Sequence, residues 1–295
     1  MSKDDISIKK KNHYVWAHYL RGWSDNKRDI WYLSDRGKVS KDSTKGICMI
    51  IDFYKIPYLT KEDVLYVYDF ISEFNPEVSV QIGNIINDIL NMQKLVNIYK
   101  RSSHESEYLD KASESMFSNP IEDMHSAHED EAMIAMEELR LGKVDILKND
   151  KIMMGFVGFI AQQMSRTLKV KNGSTLTHLF PLLSYFYGLQ LAHRLFFGEF
   201  HFVTYENKTN NGFITSSHPV INISEDPSKN IEIYFPLSPR IAFGLSSDIS
   251  LKGTTISLSV DEVNILNQKV CKQGERPFVG QSSEQLYQLK KDKLI

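Results

Sequence analysis

The sequence has few of the features that mark a specialised class of protein. Only two of its 295 residues are cysteines, and Cys48 and Cys271 show neither a Cys-x-x-Cys motif nor a paired spacing. So little cysteine excludes a disulfide scaffold and predicts two reduced thiols in a cytosolic protein. The first residues are polar with no apolar stretch behind them, which does not fit a secretory signal peptide.

Long hydrophobic runs are also absent. The longest, residues 179–192, covers about 14 positions and is interrupted by proline, serine, glycine and glutamine, whereas a membrane-spanning helix needs about 20 apolar residues. This run therefore predicts a buried helix. We expect a cytoplasmic protein that does not bind a membrane.

The net charge is only −2, which gives no overall signal for a polyanionic partner. The charges are nevertheless segregated. Residues 1–45 carry 11 Lys/Arg against 6 Asp/Glu, and residues 104–140 carry 11 Asp/Glu against 2 Lys/Arg. Two interpretations stay open: both segments are solvated surfaces, or the basic arm binds a polyanion or the acidic segment of a partner copy.

Common catalytic and nucleotide-binding motifs are missing as well. There is no P-loop, no Gly-x-Gly-x-x-Gly, no zinc-finger spacing and no Gly-x-Ser-x-Gly. These absences argue against an ATPase, a Rossmann dehydrogenase, a small zinc domain and an α/β-hydrolase.

The apolar spacing that is present predicts an α+β fold. Short β-rich segments precede and follow a helical block at about residues 60–198, so we expect a mixed or antiparallel sheet built from N- and C-terminal strands. The close spacing of the C-terminal strands predicts an antiparallel meander. Residues 1–12 are predicted to be a flexible basic tail, and residues 13–295 a single domain.

The helix predicted over residues 151–170 carries the most informative polar residues. It is apolar almost all round and should be buried, yet Gln163 and Arg166 share a face with Phe156 and Phe159. A buried guanidinium has to be paired, because an unpaired buried charge is costly. Two alternatives follow: an arginine paired within the core, or one that binds an anionic substrate group.

The helix predicted over residues 121–139 carries ligand-type side chains. His125 and His128 fall on its inward stripe, and Glu122-x-x-His125 matches half of a ferritin-like di-metal motif. The second half is missing, so a divalent metal would need ligands from distant segments. The alternative is a pair of histidines at the helix rim bound to Glu129. Either glutamate could pair with Arg166.

Three further residues could take part in catalysis. His13 has the chemistry of a general base, although a histidine among aromatic residues also suits a hydrogen-bonded core position. Ser217 and His218 follow a predicted strand, but adjacent serine and histidine do not make a catalytic triad.

Several short motifs follow one another in a characteristic order. They are Asn12-His13-Tyr14-Val15, Tyr19-Leu20-Arg21, Gln163-x-x-Arg166-Thr167, Phe213-Ile214-Thr215-Ser216-x-x-Pro219-Val220, Phe235-Pro236-Leu237-Ser238-Pro239, Val263-Asn264 and Phe278-Val279. In this order, over nearly the whole chain, they resemble the bacterial domain-of-unknown-function 4238 family.

The resemblance implies that His13, Gln163, Arg166 and residues 215–218 converge in space. The family pattern has proline where this chain has Trp16, and Asp-Asn where it has Ser217-His218. If that aspartate is catalytic, this chain has lost activity or uses Ser217 and His218 instead. The resemblance also implies an accessory or toxin-like role in a defence region.

From the buried polar face we expect a nuclease or related phosphodiester hydrolase in a phage-defence or toxin-like role. Arg166 would hold a phosphate, and His13 or His218 would be the acid/base. Gln163 would have an orienting role, and Glu122 or Glu129 would position a histidine or a metal. The catalytic candidates are His13, Glu129, Gln163, Arg166, Ser217 and His218. The alternatives are a non-enzymatic module that binds a phage protein or nucleic acid, and a histidine-carboxylate metal protein.

Overall fold

The computed structural model describes residues 6–102, 105–226 and 231–295. The α+β class predicted from the sequence is confirmed. The helices are α1 (Ala17–Leu20), α2 (Lys61–Phe70), α3 (Pro76–Arg101), α4 (Glu107–Ser118), α5 (Pro120–Arg140), α6 (Asp150–Ser165), α7 (Leu168–Gly173), α8 (Phe180–Phe197), α9 (Val260–Gln273) and α10 (Ser283–Lys291).

The strands lie mostly outside this helical block. They are β1 (Lys11–His13), β2 (Asp29–Leu33), β3 (Val39–Ser43), β4 (Met49–Ile51), β5 (His201–Asn207), β6 (Thr215–Ser216), β7 (Ile221–Asn222), β8 (Ile233–Pro236), β9 (Ile241–Ser246), β10 (Thr254–Leu258) and β11 (Phe278–Gly280).

The four-stranded sheet joins the two ends of the chain. Its order is β3-β2-β11-β6, with every neighbouring pair antiparallel. Leu33 of β2 lies opposite Phe278 of β11, and both are buried. A sheet built from N- and C-terminal strands is therefore confirmed. Separately, β1 pairs with β4.

The five-stranded sheet corrects the expected antiparallel meander. Its order is β10-β5-β9-β8-β7, and β10 runs parallel to β5. Both edges of β9 are already paired, with β5 on one side and β8 on the other. The chain leaving β9 therefore has to cross to the free edge of β5, where it arrives in the parallel direction.

In the helical block, α6 packs between α5 and α8, which explains why it is apolar nearly all round. The ring of Phe156 on α6 contacts Phe235 and Phe243 of the five-stranded sheet. This contact joins the helical block to the sheet in one core. Among the described residues, no helix has both the length and the apolar character needed to cross a membrane.

Several elements differ from the predicted ones. The apolar, β-branched sequence of residues 46–56 favours one strand, yet β4 is only three residues long, because Cys48 and Asp52 on either side adopt left-handed conformations with φ 56° and 55°. Residues 212–216 also favour a strand, but β6 begins only at Thr215, because the backbone N–H of Ile214 donates to the side chain of Asn267. The polar residues 101–120 suggest a loop or a loose helix, whereas α4 is a regular amphipathic helix begun by a serine N-cap; α10, also begun by a serine, was not predicted.

The basic N-terminal segment packs on the acidic segment of its own chain. Lys9 Nζ lies 2.6 Å from Asp123 Oδ1, and Lys10 Nζ lies 2.7 Å from Glu114 Oε1. The side chain of Asn119 adds two hydrogen bonds to the backbone of residues 7 and 9. Residues 1–5 of the expected tail lie outside the described residues.

Candidate functional site

Arg166 is 1% exposed and stands at the C-terminal cap of α6. Its Nη2 donates to Glu129 Oε1 at 2.6 Å and to Gln163 Oε1 at 3.0 Å, and its Nε donates to the same Gln163 oxygen at 3.3 Å. The ring of Phe159 lies 5.8 Å from the guanidinium carbon. The carboxylate that a buried arginine requires is thus supplied by Glu129.

Gln163 connects this arginine to the N-terminal segment. Its Oε1 accepts from Arg166, and its Nε2 donates to the backbone carbonyl of Tyr14 at 2.8 Å. The glutamine is fully buried, so both ends of its amide are fixed. It therefore orients the guanidinium and places the His13–Tyr14 backbone beside the end of α6.

Glu122 faces the same cluster, two helical turns before Glu129 on α5. Its Oε2 accepts a hydrogen bond of 3.1 Å from Nδ2 of the buried Asn12, whose Oδ1 accepts from the backbone N–H of Tyr54. The Tyr54 hydroxyl lies 3.5 Å from the carbonyl of His13. Two carboxyl groups therefore share one buried environment with Arg166.

The charges in this cluster depend on one another. Burial raises the pKa of both Glu122 and Glu129, and the positive charge of Arg166 opposes both shifts. Burial is the largest single effect and would lower the pKa of Arg166, but Glu129, Tyr54 and Glu122 together outweigh it and the pKa is raised. Since the Glu129 side chain is 16% exposed, it links the buried guanidinium to the surface.

His13 lies at the edge of the cluster. It is partly buried, its Nε2 donates to the carbonyl of Lys45 at 3.0 Å, and a positive charge on the ring, when it is protonated, lowers the pKa of Glu129. Because a carbonyl oxygen can only accept, the neutral ring carries its proton on Nε2 and keeps a lone pair on Nδ1. His13, Gln163 and Arg166 thus lie in one region, together with Glu129, which was not among the residues that the resemblance placed there.

The histidines of α5 do not bind Glu129, contrary to the interpretation that paired them. His125 is buried against the rings of Tyr54 and Tyr185, and neither of its ring nitrogens has a partner. Burial, with smaller effects of Arg166 and His128, holds its pKa well below the usual range. In the described part of the chain, no group of three or more His, Cys, Asp or Glu side chains could hold a metal ion.

Ser217 and His218 lie next to this cluster but are engaged elsewhere. The Ser217 hydroxyl is bonded to the backbone carbonyls of Glu275 and Arg276, at 3.0 and 2.8 Å. His218 Nδ1 lies 2.8 Å from the hydroxyl of Thr167, the residue after Arg166. Burial and, to a smaller extent, Lys169 lower the pKa of His218 to about 4. Among the described residues, His218 is therefore connected to Arg166 through its contact with Thr167, and Ser217 is bonded to Glu275 and Arg276 instead.

The order of the motifs and this convergence agree with a comparison of the whole sequence. A family model described as "Protein of unknown function (DUF4238)" matches residues 11–292. The chain belongs to the DUF4238 family. The match extends from β1 to α10 and includes every residue of the Arg166 cluster. No curated protein and no solved structure matches the chain.

Sequence analysis of this DUF4238 protein missed Asn12 and Tyr54 as members of the cluster. Asn12 is the first residue of the His-Tyr-Val motif, but nothing in its spacing predicts that it binds a helix more than 100 positions away. Arg140, the last residue of α5, was also missed. Its guanidinium donates to the backbone carbonyls of Leu237, Tyr19 and His18 at 2.9, 2.6 and 3.5 Å.

Proposed function

We propose that this DUF4238 protein is a nuclease or a related phosphodiester hydrolase that acts in the cytoplasm in a phage-defence or toxin-like role. One observation supports the proposal. Arg166 is held rigidly, yet its Nη1 takes part in none of the hydrogen bonds found among the described residues. Beside it lie Glu129, a partly exposed carboxyl group whose pKa is raised, and His13. This set of groups suits a phosphate and the acid–base chemistry needed to cleave its ester.

In this proposal Arg166 Nη1 donates to a phosphate oxygen and compensates its negative charge. The His13 Nδ1 lone pair takes a proton from water as the water oxygen attacks phosphorus. When the phosphate compensates the charge of Arg166, burial favours uptake of a solvent proton by the Glu129 carboxylate, and Glu129 gives that proton to the leaving oxygen. Gln163 orients the arginine. His218 takes a positioning role, acting through Thr167, and Ser217 takes one through its bonds to Glu275 and Arg276.

The test is cleavage of single- and double-stranded DNA and RNA by the purified chain, with and without Mg²⁺ or Mn²⁺. We expect Arg166→Lys and Glu129→Gln to lower the cleavage rate by at least about 100-fold, as removal of an acid–base group does. Glu131→Gln, an exposed change on the same helix, is the matched control and should retain activity. Absence of cleavage in every condition, with an Arg166→Ala variant that keeps its cellular phenotype, would disprove the proposal.

The second candidate is a non-enzymatic module that binds a phage protein or a nucleic acid. It is favoured by the bonds that Arg166 already makes to Glu129 and Gln163, since these also suit an arginine that only holds the core together. Both candidates predict a stability loss for Arg166→Ala, because the change leaves the largely buried Glu129 unpaired. On this alternative, surface changes in residues 1–45 or 104–140 abolish function. Lost function in an Arg166→Lys variant that keeps its stability would instead favour the hydrolase.

A further inference from the structure

A cleft of about 530 Å³ lies between the loop after β4, the last turns of α3 and the inner face of α4. It shares no lining residue with the Arg166 cluster. Its floor is apolar and includes Ile56, Val96 and Phe117, all buried. A volume of this size, with an apolar floor and a few polar groups at the mouth, suits a small organic ligand.

The acidic groups that line the cleft on α4 already have partners. Glu114 is paired with Lys10 at 2.7 Å, and Asp110 accepts a hydrogen bond of 2.9 Å from the hydroxyl of Tyr99. The charge of Glu114 is therefore compensated by a cation, whereas Asp110 keeps its negative charge beside the Tyr99 hydroxyl.

Two lysines at the mouth are differently placed. Among the described residues, no carboxylate lies within ion-pair distance of Lys55 or Lys100. The ammonium of Lys100 lies 5.2 Å from the ring centroid of Tyr58, and that ring stacks on Phe117 at 4.8 Å. The aromatic pair keeps one positive charge at the edge of an apolar surface. Together the two ammonium groups favour an anion with an apolar body.

On the other side of the cleft, Asp52 favours a ligand that carries a hydrogen-bond donor. Its Oδ1 is buried without a hydrogen-bond partner, although its backbone N–H donates to Lys10. An unsatisfied buried acceptor is unfavourable, and a ligand that brings a donor would remove that cost. The terminal torsion of aspartate is soft, so a small rotation turns a carboxylate oxygen toward the cleft.

We propose that this cleft binds a nucleoside monophosphate. The flat base lies on the apolar floor, an N–H group of the base donates to Asp52, and the phosphate lies near Lys55 and Lys100. A fatty acid would leave Asp52 without a donor, and a diamine would be repelled by the two lysines. The inference does not depend on the proposed hydrolase activity, since it concerns binding by other residues.

Isothermal titration of the full chain with AMP, GMP, CMP and UMP tests this, with the matching nucleosides and inorganic phosphate as separate probes. At least one nucleotide should bind, its nucleoside about tenfold more weakly, and phosphate alone more weakly still. Lys55→Ala and Lys100→Ala should weaken nucleotide binding about tenfold and leave nucleoside binding unchanged. Lys94→Ala, an exposed change on α3 outside the cleft, is the control and should have no effect.

Asp52→Asn is the variant that probes the base. Asparagine tolerates the left-handed backbone of this position, and the unpartnered Oδ1 means that no internal hydrogen bond is lost. It should weaken nucleotides and nucleosides alike. The proposal is overturned if no nucleotide binds, if nucleoside or phosphate alone binds as tightly, or if Lys100→Ala and Asp52→Asn change nothing. Loss of nucleotide binding in Glu129→Gln would assign the ligand to the Arg166 cluster, and would also overturn it.

Discussion

Arg140 and Arg166 lie at the C-terminal ends of two helices that pack against each other, α5 and α6, but their charges are stabilised in opposite ways. Arg140 donates only to backbone carbonyls among its described hydrogen-bond partners, and burial lowers its pKa to about 10. Arg166 is bound by a carboxylate, and its pKa is raised despite complete burial.

The two arginines therefore differ in their partners: Arg140 is bound by backbone carbonyls, and Arg166 is bound by the carboxylate of Glu129. The carbonyl groups around Arg140 do not titrate, so that arginine joins α5 to the first helix and to Leu237 in the same way at every pH well below its own pKa of about 10. The partner of Arg166 is itself ionisable and partly exposed. Protonation of Glu129, or a competing anion, therefore changes the electrostatic environment of Arg166.

The largest expected effect is that of Arg166→Ala on stability. The change leaves Glu129 as an unpaired, largely buried carboxylate, and it leaves the Gln163 oxygen without its donor. We expect a loss of about 3–5 kcal/mol in the free energy of unfolding, measured by urea denaturation at neutral pH. Glu129→Gln combined with Arg166→Met, which removes both charges, should recover part of it. A loss below about 1 kcal/mol would show that the Arg166–Glu129 pair contributes little to the stability of the core.

Arg140→Ala should have a smaller effect of about 2 kcal/mol, the range for hydrogen bonds made by a charged group. Three carbonyls lose a donor, but no buried charge is left behind. Any nuclease activity per folded molecule should stay unchanged, in contrast to the Arg166 variants. Arg140→Lys, which keeps one charged donor, should fall between the alanine variant and the wild type. Loss of activity in the well-folded Arg140→Lys protein would remove the distinction between the two arginines.

The pH dependence of stability should arise on the Arg166 side. The folded-state pKa of Glu122 is raised, so the folded protein holds a proton that the unfolded chain has lost. Its contribution to stability is greatest at low pH and declines as the pH rises above about 4.5 and through the raised value. Glu122→Gln should reduce this decline, leaving the part that comes from the raised pKa of Glu129, and should make the protein more stable than the wild type at pH 7. An unchanged pH profile of unfolding in this variant would contradict the assignment.

The smallest effect is expected where the N-terminal segment meets α4, beside the Arg166 region. Lys10→Ala removes an exposed ion pair with Glu114 and should lower the melting temperature by about 1 °C or less. The difference should vanish in high salt. A larger or salt-independent shift of the melting temperature in differential scanning calorimetry would mean that Lys10 contributes more to stability than an exposed ion pair does.

The sequence allowed prediction wherever the signal was local. Thr60 with Asp63 and Ser259 with Glu262 have the spacing of a capping box, and both form one, because each is decided within four residues. The buried face of α6 and the need for a carboxylate at Arg166 followed from helical spacing and the cost of an unpaired charge. The parallel pairing of β10 did not, because it depends on which strand edge is left free after the other strands have paired.

The same limit explains what was missed at the site. Asn12 and Glu122 are 110 positions apart, and no periodic pattern connects them. Arg140 is bound by main-chain oxygens, and every residue has one, so its partners leave no mark in the sequence. The family resemblance implied that His13, Gln163, Arg166 and residues 215–218 converge. The structure brings the first three together, while Ser217 is bonded to Glu275 and Arg276, and the resemblance contained no information about the reaction.

The position of β11 has a consequence for the order in which the protein can be made. This strand lies between β2, near the start of the chain, and β6, which leads into Ser217 and His218. During synthesis β2 therefore waits with an unpaired edge until residues 278–280 leave the ribosome. The four-stranded sheet closes only at that moment, so a partly synthesised chain would lack the assembled sheet beside the site.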